Sequence, residues 1–170
     1  FDLAMKSQKE KARASWSGSG ETADSSIWFN ISQEFGSTEF LGYETEESEA
    51  KVLAIVCEGK EVSNAIAGAS VQIVFNQTPF YAESGGQIGD SGQVELDGSV
   101  THIEDVRLIA GIFVHFVDSL KFNLSVGDET KLNVSFEKRR AIKSNHSATH
   151  LLNESLRKNL GNTVSQRGSL

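Results

Sequence analysis

GQVELDGSVTHIEDVRLIAGIFVHFV, residues 92–117, alternates short apolar runs with turn residues. Its runs GQVEL (92–96), HIEDVRLI (102–109) and IFVHFV (112–117) are rich in β-branched and aromatic side chains and are bounded by Gly, Asp or Ser. Each predicts a strand. Leu96-Asp97-Gly98-Ser99 carries the Asp-Gly signal of a hairpin turn. VLAIV (52–56), SVQIVFNQ (70–77) and TKLNVSF (130–136) repeat the pattern on either side. Short strands at this spacing predict a curved antiparallel sheet or a small open barrel. The period then changes. From Glu137 to Leu160, apolar residues at Ala141, Ile142, Ala148, Leu151, Leu152, Leu156 and Leu160 predict one long helix, with Gly161 in the C-terminal capping position. The expected class is α+β, with this helix packed on the sheet.

Upstream of the strands, FDLAMKSQKEKARAS (1–15) predicts a helix that the serines and glycines of 15–20 end. Residues 17–48 carry little pattern beyond a short helical candidate near Ile31 to Phe35, and the acidic run Glu44 to Glu49 is expected as a solvated loop. The expected division is a helical lead-in over 1–48 and a domain over 49–170. The chain begins at Phe1 inside a helical pattern and stops at Arg167-Gly168-Ser169-Leu170, which reads as a piece of something longer.

At 170 residues and 38% hydrophobic, the chain can bury one core. A lone cysteine, Cys57, excludes an intrachain disulfide and suits a reducing cytoplasm. No apolar run approaches the ~18 residues of a membrane span, and no signal peptide is visible, so no membrane partner is expected. The net charge of -7 is unevenly spread: residues 137–170 carry +5, and the other 136 residues carry -12. That polarity suits a polyanion on the basic segment, or simply a solvated helix face.

Three stretches carry chemistry. In HSATH (146–150), His146 and His150 share a helix face one turn apart. No Glu adjoins the first His, which excludes the H-E-x-x-H protease pattern. Zinc wants about four ligands, so the pair is either half a site or two ordinary histidines; Cys57, His102 and His115 are the other candidate ligands. TPFYAESGGQIGDSG (78–92) lacks the Gly-Lys-Ser/Thr of a P-loop. Its glycines allow positive φ or close backbone approach, with Glu83, Gln87 and Asp90 interleaved. Lys138-Arg139-Arg140 opens the helix against its macrodipole, at a cost of about 0.3–1 kcal/mol per exposed cation. Phosphate contacts would offset that cost.

TPFYAESGGQIGDSG, followed by RRAIKSNHSATHLLNESLRKNLG and then VSQRGSL, closely resembles the editing domain of alanyl-tRNA synthetases. The lead-in FDLAMKSQKEKARAS resembles the segment that joins such a domain to the tRNA-recognition region. The resemblance implies a Zn2+ site made of HxxxH, here His146 and His150, and a later CxxxH. It implies a pocket lined by Thr149 and Gln166, with Gly85, Gly86 and Gln87 in its wall. Arg139, Arg140 and Lys143 are then expected to hold the acceptor end of tRNA(Ala). The implied reaction is hydrolysis of Ser-tRNA(Ala) and Gly-tRNA(Ala) esters, with aminoacylation, ATP and Mg2+ belonging to an upstream domain. A free-standing or threonyl-type editing module is the near alternative, and a non-catalytic RNA-binding module is the distant one. Missing strands would leave a sheet edge exposed to self-association.

Overall fold

The computed structural model describes residues 24–83, 88–161 and 164. The helix expected over 1–15 lies outside the described residues, as do Gly85, Gly86, Gln87 and Gln166.

In chain order the elements are α1 (Asp24–Phe35), β1 (Glu39–Phe40), β2 (Glu47–Cys57), β3 (Lys60–Val62), β4 (Asn64–Ala65), β5 (Val71–Phe75), β6 (Gln77–Thr78), β7 (Gly92–Leu96), β8 (Ser99–Ile103), β9 (Asp105–Ile109), β10 (Ile112–Val117), β11 (Leu124–Ser125), β12 (Glu129–Val134) and α2 (Phe136–Leu160). The main sheet runs β8-β7-β12-β2-β5-β10-β9, with β3 hydrogen-bonded to the end of β2. All its pairings are antiparallel. At the predicted hairpin, Asp97 (φ 48°) and Gly98 (φ 77°) both lie in the left-handed region, as a type I′ turn demands. Ala110 (φ 50°) and Gly111 (φ 84°) repeat that geometry between β9 and β10.

The outermost strands, β8 and β9, are consecutive in the chain and separated only by Glu104, whose N–H donates to the Phe116 carbonyl at 2.9 Å. The single strand expected over 102–109 is therefore two strands meeting at a corner. Glu83 N–H caps the outer side of β9 through Val106 O at 2.8 Å. The sheet is thus nearly closed, and the exposed edge expected to drive self-association is largely turned in on itself.

Burial follows from that curvature. Val52, Ile73, Phe75, Val94, Ile103 and Leu132 fill the concave side. On the convex side, Trp28 and Ile31 of α1 cover Ala54, Val56, Val74, Ile112 and Val114. Because β2 is covered on both faces, Ala54, Ile55 and Val56 are all buried, which is why its sequence reads as a continuous apolar run. Two features upstream differ from expectation. α1 extends over the whole of Asp24–Phe35, anchored by Ser32 Oγ donating to Ala110 O at 2.9 Å. The acidic run contributes Glu47–Glu49 to β2, paired with Lys131–Asn133 of β12 across the expected domain boundary.

α2 is capped at Gly161, whose N–H returns to Arg157 O. Its first turns meet the barrel, whereas Leu151, Leu152 and Leu160 stand exposed.

His115 is fully buried between the rings of Phe75 and Phe80. Its Nδ1 lies 3.2 Å from Ile73 O and its Nε2 2.8 Å from Thr78 Oγ1. A carbonyl can only accept, so Nδ1 carries the proton and Nε2 accepts from Thr78. Burial lowers the His115 pKa to about 4, against the opposing pull of the Ile73 and Phe113 carbonyls. The unfolded chain takes up this proton near pH 6.5 and the folded chain only near pH 4. Stability is thus unaffected above pH 6.5 and falls as pH drops through that window, by about 3 kcal/mol in total. Urea titrations from pH 7 to 4 should show this loss, and His115→Gln, although less stable at pH 7, should have a curve flatter by about that amount.

Candidate functional site

The glycine-rich stretch is tied at its base by two opposed bonds. Tyr81 N–H donates to Asp90 Oδ2 at 2.7 Å, and Asp90 N–H donates to Tyr81 O at 2.9 Å. Gly89 permits close approach: a Cβ there would lie 2.6 Å from Val106 O. Gly92 does likewise, since a Cβ would collide with Asn133 O and the Phe80 ring.

The same carboxylate receives the helix. Arg139 Nε donates to Asp90 Oδ2 at 3.0 Å, and Nη2 donates to both that oxygen and Pro79 O. Both side chains are only 5% exposed. Ser135, at the helix N-terminus, adds a backbone bond to Ser91 O at 2.9 Å. Arg139, expected to contact RNA, is therefore spent inside the protein. Successive helical residues point about 100° apart, so three adjacent cations cannot share a direction: Arg139 faces inward, while Lys138 and Arg140 face out.

Farther along α2, Arg140 and Lys143 remain exposed and line a hollow of about 530 Å³ with Glu46, Ser144, Ser147 and Leu151. Thr149 is half-buried, and its Oγ1 donates to Asn145 O at 2.8 Å. His150 is exposed, and helix geometry sets its Cα one turn beyond that of His146. Two histidines at this spacing would fill half of a zinc ligand set of about four. Among the described residues no group of three or more His, Cys, Asp or Glu could hold a metal. His115 is committed to the core, and His102 lies 3.4 Å from Glu104. The helix pair thus acquires no further ligand from those two candidates.

Sequence reading overlooked an aromatic group on the barrel rim beside α2. Phe40 stacks on Phe113, with centroids 5.4 Å apart and planes at 6°, and Tyr43 meets Phe40 edge-on at 5.0 Å. Gly42 lets the turn press down, because a Cβ there would strike Pro79 O and the Phe40 ring. The signal was present as two aromatics flanking a glycine in EFLGYE, within a segment taken for featureless linker. A roomier hollow, about 620 Å³, lies elsewhere on the barrel, but it gathers Glu49, Glu95, Asp97 and Glu129 against Lys51 and Lys131 and so repels a polyanion.

The family model for class II tRNA synthetases (A) matches residues 1–138. The chain belongs to this family. It is 54% identical over its whole length to an alanine--tRNA ligase of Cereibacter sphaeroides, 52% to one of Jannaschia sp. and 51% to one of Paracoccus denitrificans. The chain spans 19% of the length of each of these synthetases. The synthetase family match stops one residue before Arg139, whereas identity to the ligases continues through the histidine helix.

Removing one partner of a buried pair leaves the other charge uncompensated. Arg139→Ala should destabilise the protein by about 3–5 kcal/mol, whereas Arg139→Met combined with Asp90→Leu should recover only part of that loss, because Tyr81 N–H and Pro79 O lose their partners. Urea denaturation of the three proteins checks this.

Proposed function

We propose that this chain is part of an alanine--tRNA ligase and forms most of a domain that hydrolyses mischarged Ser-tRNA(Ala) and Gly-tRNA(Ala). The observation that carries the reading is the tie that Arg139 and Asp90 make between the glycine-rich stretch and the helix that also carries HSATH, within a chain about half identical to alanine--tRNA ligases. Aminoacylation with ATP and Mg2+ belongs to the remaining length of such a ligase. The work is cytoplasmic, in step with protein synthesis. No helix among the described residues is long and apolar enough to cross a membrane.

The need for such a site is physical. A pocket built for alanine rejects glycine weakly, since one methyl group is worth only about 1–3 kcal/mol, and an added hydroxyl is also hard to exclude. A hydrolytic site can invert the rule by rewarding the hydroxyl. Thr149 Oγ1 already gives its proton to Asn145 O, so its lone pairs are left to accept a bond from a serine hydroxyl. Alanine and glycine would both leave that acceptor unpaired, so this contact favours serine alone and cleavage of the glycine ester does not draw on it.

His146 and His150 would hold Zn2+ together with a Cys-x-x-x-His pair from the longer chain. When bound, the ion supplies positive charge that can orient the amino acid or acidify a water molecule. Arg140 and Lys143, exposed beside the helix hollow, would neutralise acceptor-end phosphates, with Gly85, Gly86, Gln87 and Gln166 assigned to the pocket by resemblance.

Two measurements test the reading. In a protein extended through the Cys-x-x-x-His pair, Thr149→Val should lower serine-ester hydrolysis relative to glycine-ester hydrolysis by about tenfold, the value of one hydrogen bond. An unchanged ratio removes Thr149 from the site. Zinc should bind near one per extended chain and be lost in His150→Ala. Zinc in neither protein, with RNA binding retained, would favour the non-catalytic RNA-binding module.

A further inference from the structure

The rim cavity between the aromatic group and α2 belongs to no part of the ester chemistry. Its volume is about 430 Å³, within the range of small-ligand sites, and its lining includes Phe40, Tyr43, Tyr81, Ile142, Lys143 and Ser147. Tyr43 is 89% exposed and meets Phe40 edge-on, so its ring covers little protein and is presented to solvent. Core packing does not require an aromatic there. Across the cavity, Lys143 forms no ion pair among the described residues, and the adjoining hollow adds Arg140. The acids nearby are Asp90, already neutralised by Arg139, Glu46 in the adjoining hollow, and the exposed Glu39 and Glu44 next to Phe40 and Tyr43 in the chain, so the base stack and not net charge must carry selectivity. An aromatic face next to cations is the chemistry that holds single-stranded nucleic acid: bases stack while phosphates pair.

The geometry points to a nucleotide subsite in this cavity, in which an unpaired base stacks on Tyr43 and the phosphate beside it contacts Lys143. It rests on the tRNA reading above and adds a base contact to it. Duplex RNA cannot use this contact, because its bases are already stacked on one another. The subsite therefore selects the single-stranded end of a tRNA over its stem, independently of the amino acid that end carries.

The test uses this chain and a short single-stranded RNA ending in 2-aminopurine, whose fluorescence is quenched on stacking. Binding should quench the probe. Tyr43→Ala should weaken binding by about tenfold and abolish the quench, while Tyr43→Phe retains both. Lys143→Ala should leave the quench and reduce the slope of log affinity against log salt by about 0.7, the value of one phosphate contact on a single strand. Circular dichroism confirms that each variant is folded. Equal affinity and quench in wild type and Tyr43→Ala would overturn the proposal, as would equal binding of blunt duplex RNA. Because the readout involves no hydrolysis, the two readings fail separately. A Tyr43-dependent quench with no ester cleavage by the extended protein keeps the subsite and removes the editing reading. Ester cleavage that is unaltered in rate and KM by Tyr43→Ala does the reverse.

Discussion

One buried carboxylate joins the long helix to the barrel. Asp90 Oδ2 accepts from the Tyr81 backbone and from the Arg139 guanidinium, and Arg139 reaches on to Pro79 O. Burying two charges is costly, and the arrangement is tolerable because each finds several partners of good geometry. Its value lies in position. A helix anchored by apolar contacts alone can slide or roll by small increments, but a guanidinium fork bound to one carboxylate cannot. With Arg139 pinned, the rotation of α2 is set: Ile142, Lys143 and Ser147 turn to the aromatic rim, and the histidine pair follows on the same rod.

The barrel supplies the stiffness that this anchor needs. Its terminal strands meet at Glu104, and β2 is covered on both faces. Through Glu83 N–H to Val106 O and Glu104 N–H to Phe116 O, the segment that leads into the glycine-rich stretch shares the ladder of the closing strands. Thr78, two residues before Phe80, is held by the neutral imidazole of His115 in the core. The Thr78 hydroxyl oxygen also accepts from Phe80 N–H, and without His115 its buried proton would have no acceptor, so the two bonds together fix the chain where it leaves the barrel before Pro79 and Tyr81.

Much of the fold was legible because its information is local. β-Branched runs, the Asp97-Gly98 turn and the apolar period of 137–160 each act within a few residues. What escaped depends on distance. The break at Glu104 arises from barrel closure and leaves no local mark in HIEDVRLI. Glu47–Glu49 look like solvated acids, yet their backbones pair with β12 and Lys131 meets Glu47 at 3.1 Å. α1 has only a modest apolar face, and its partners arrive from β2, β5 and β10. In the site, the His146/His150 spacing is visible in any helical register. The role of Arg139 is not, because its partner lies 49 residues earlier and its neighbours on both sides are also cations.

The burial of Arg139 also changes how the charge of the helix should be understood. Lys138-Arg139-Arg140 looks like one basic patch, yet its central charge is cancelled before any ligand arrives. The outward field near the rim comes from Arg140 and Lys143, with Lys138 beside them, against a body that is strongly acidic elsewhere. The acidic 620 Å³ hollow sharpens that contrast, since it disfavours a polyanion on that part of the barrel. Two or three cations produce only weak, salt-sensitive attachment by themselves. Recognition at this rim must therefore draw on contacts other than charge, and the exposed ring of Tyr43 is the group positioned to supply one.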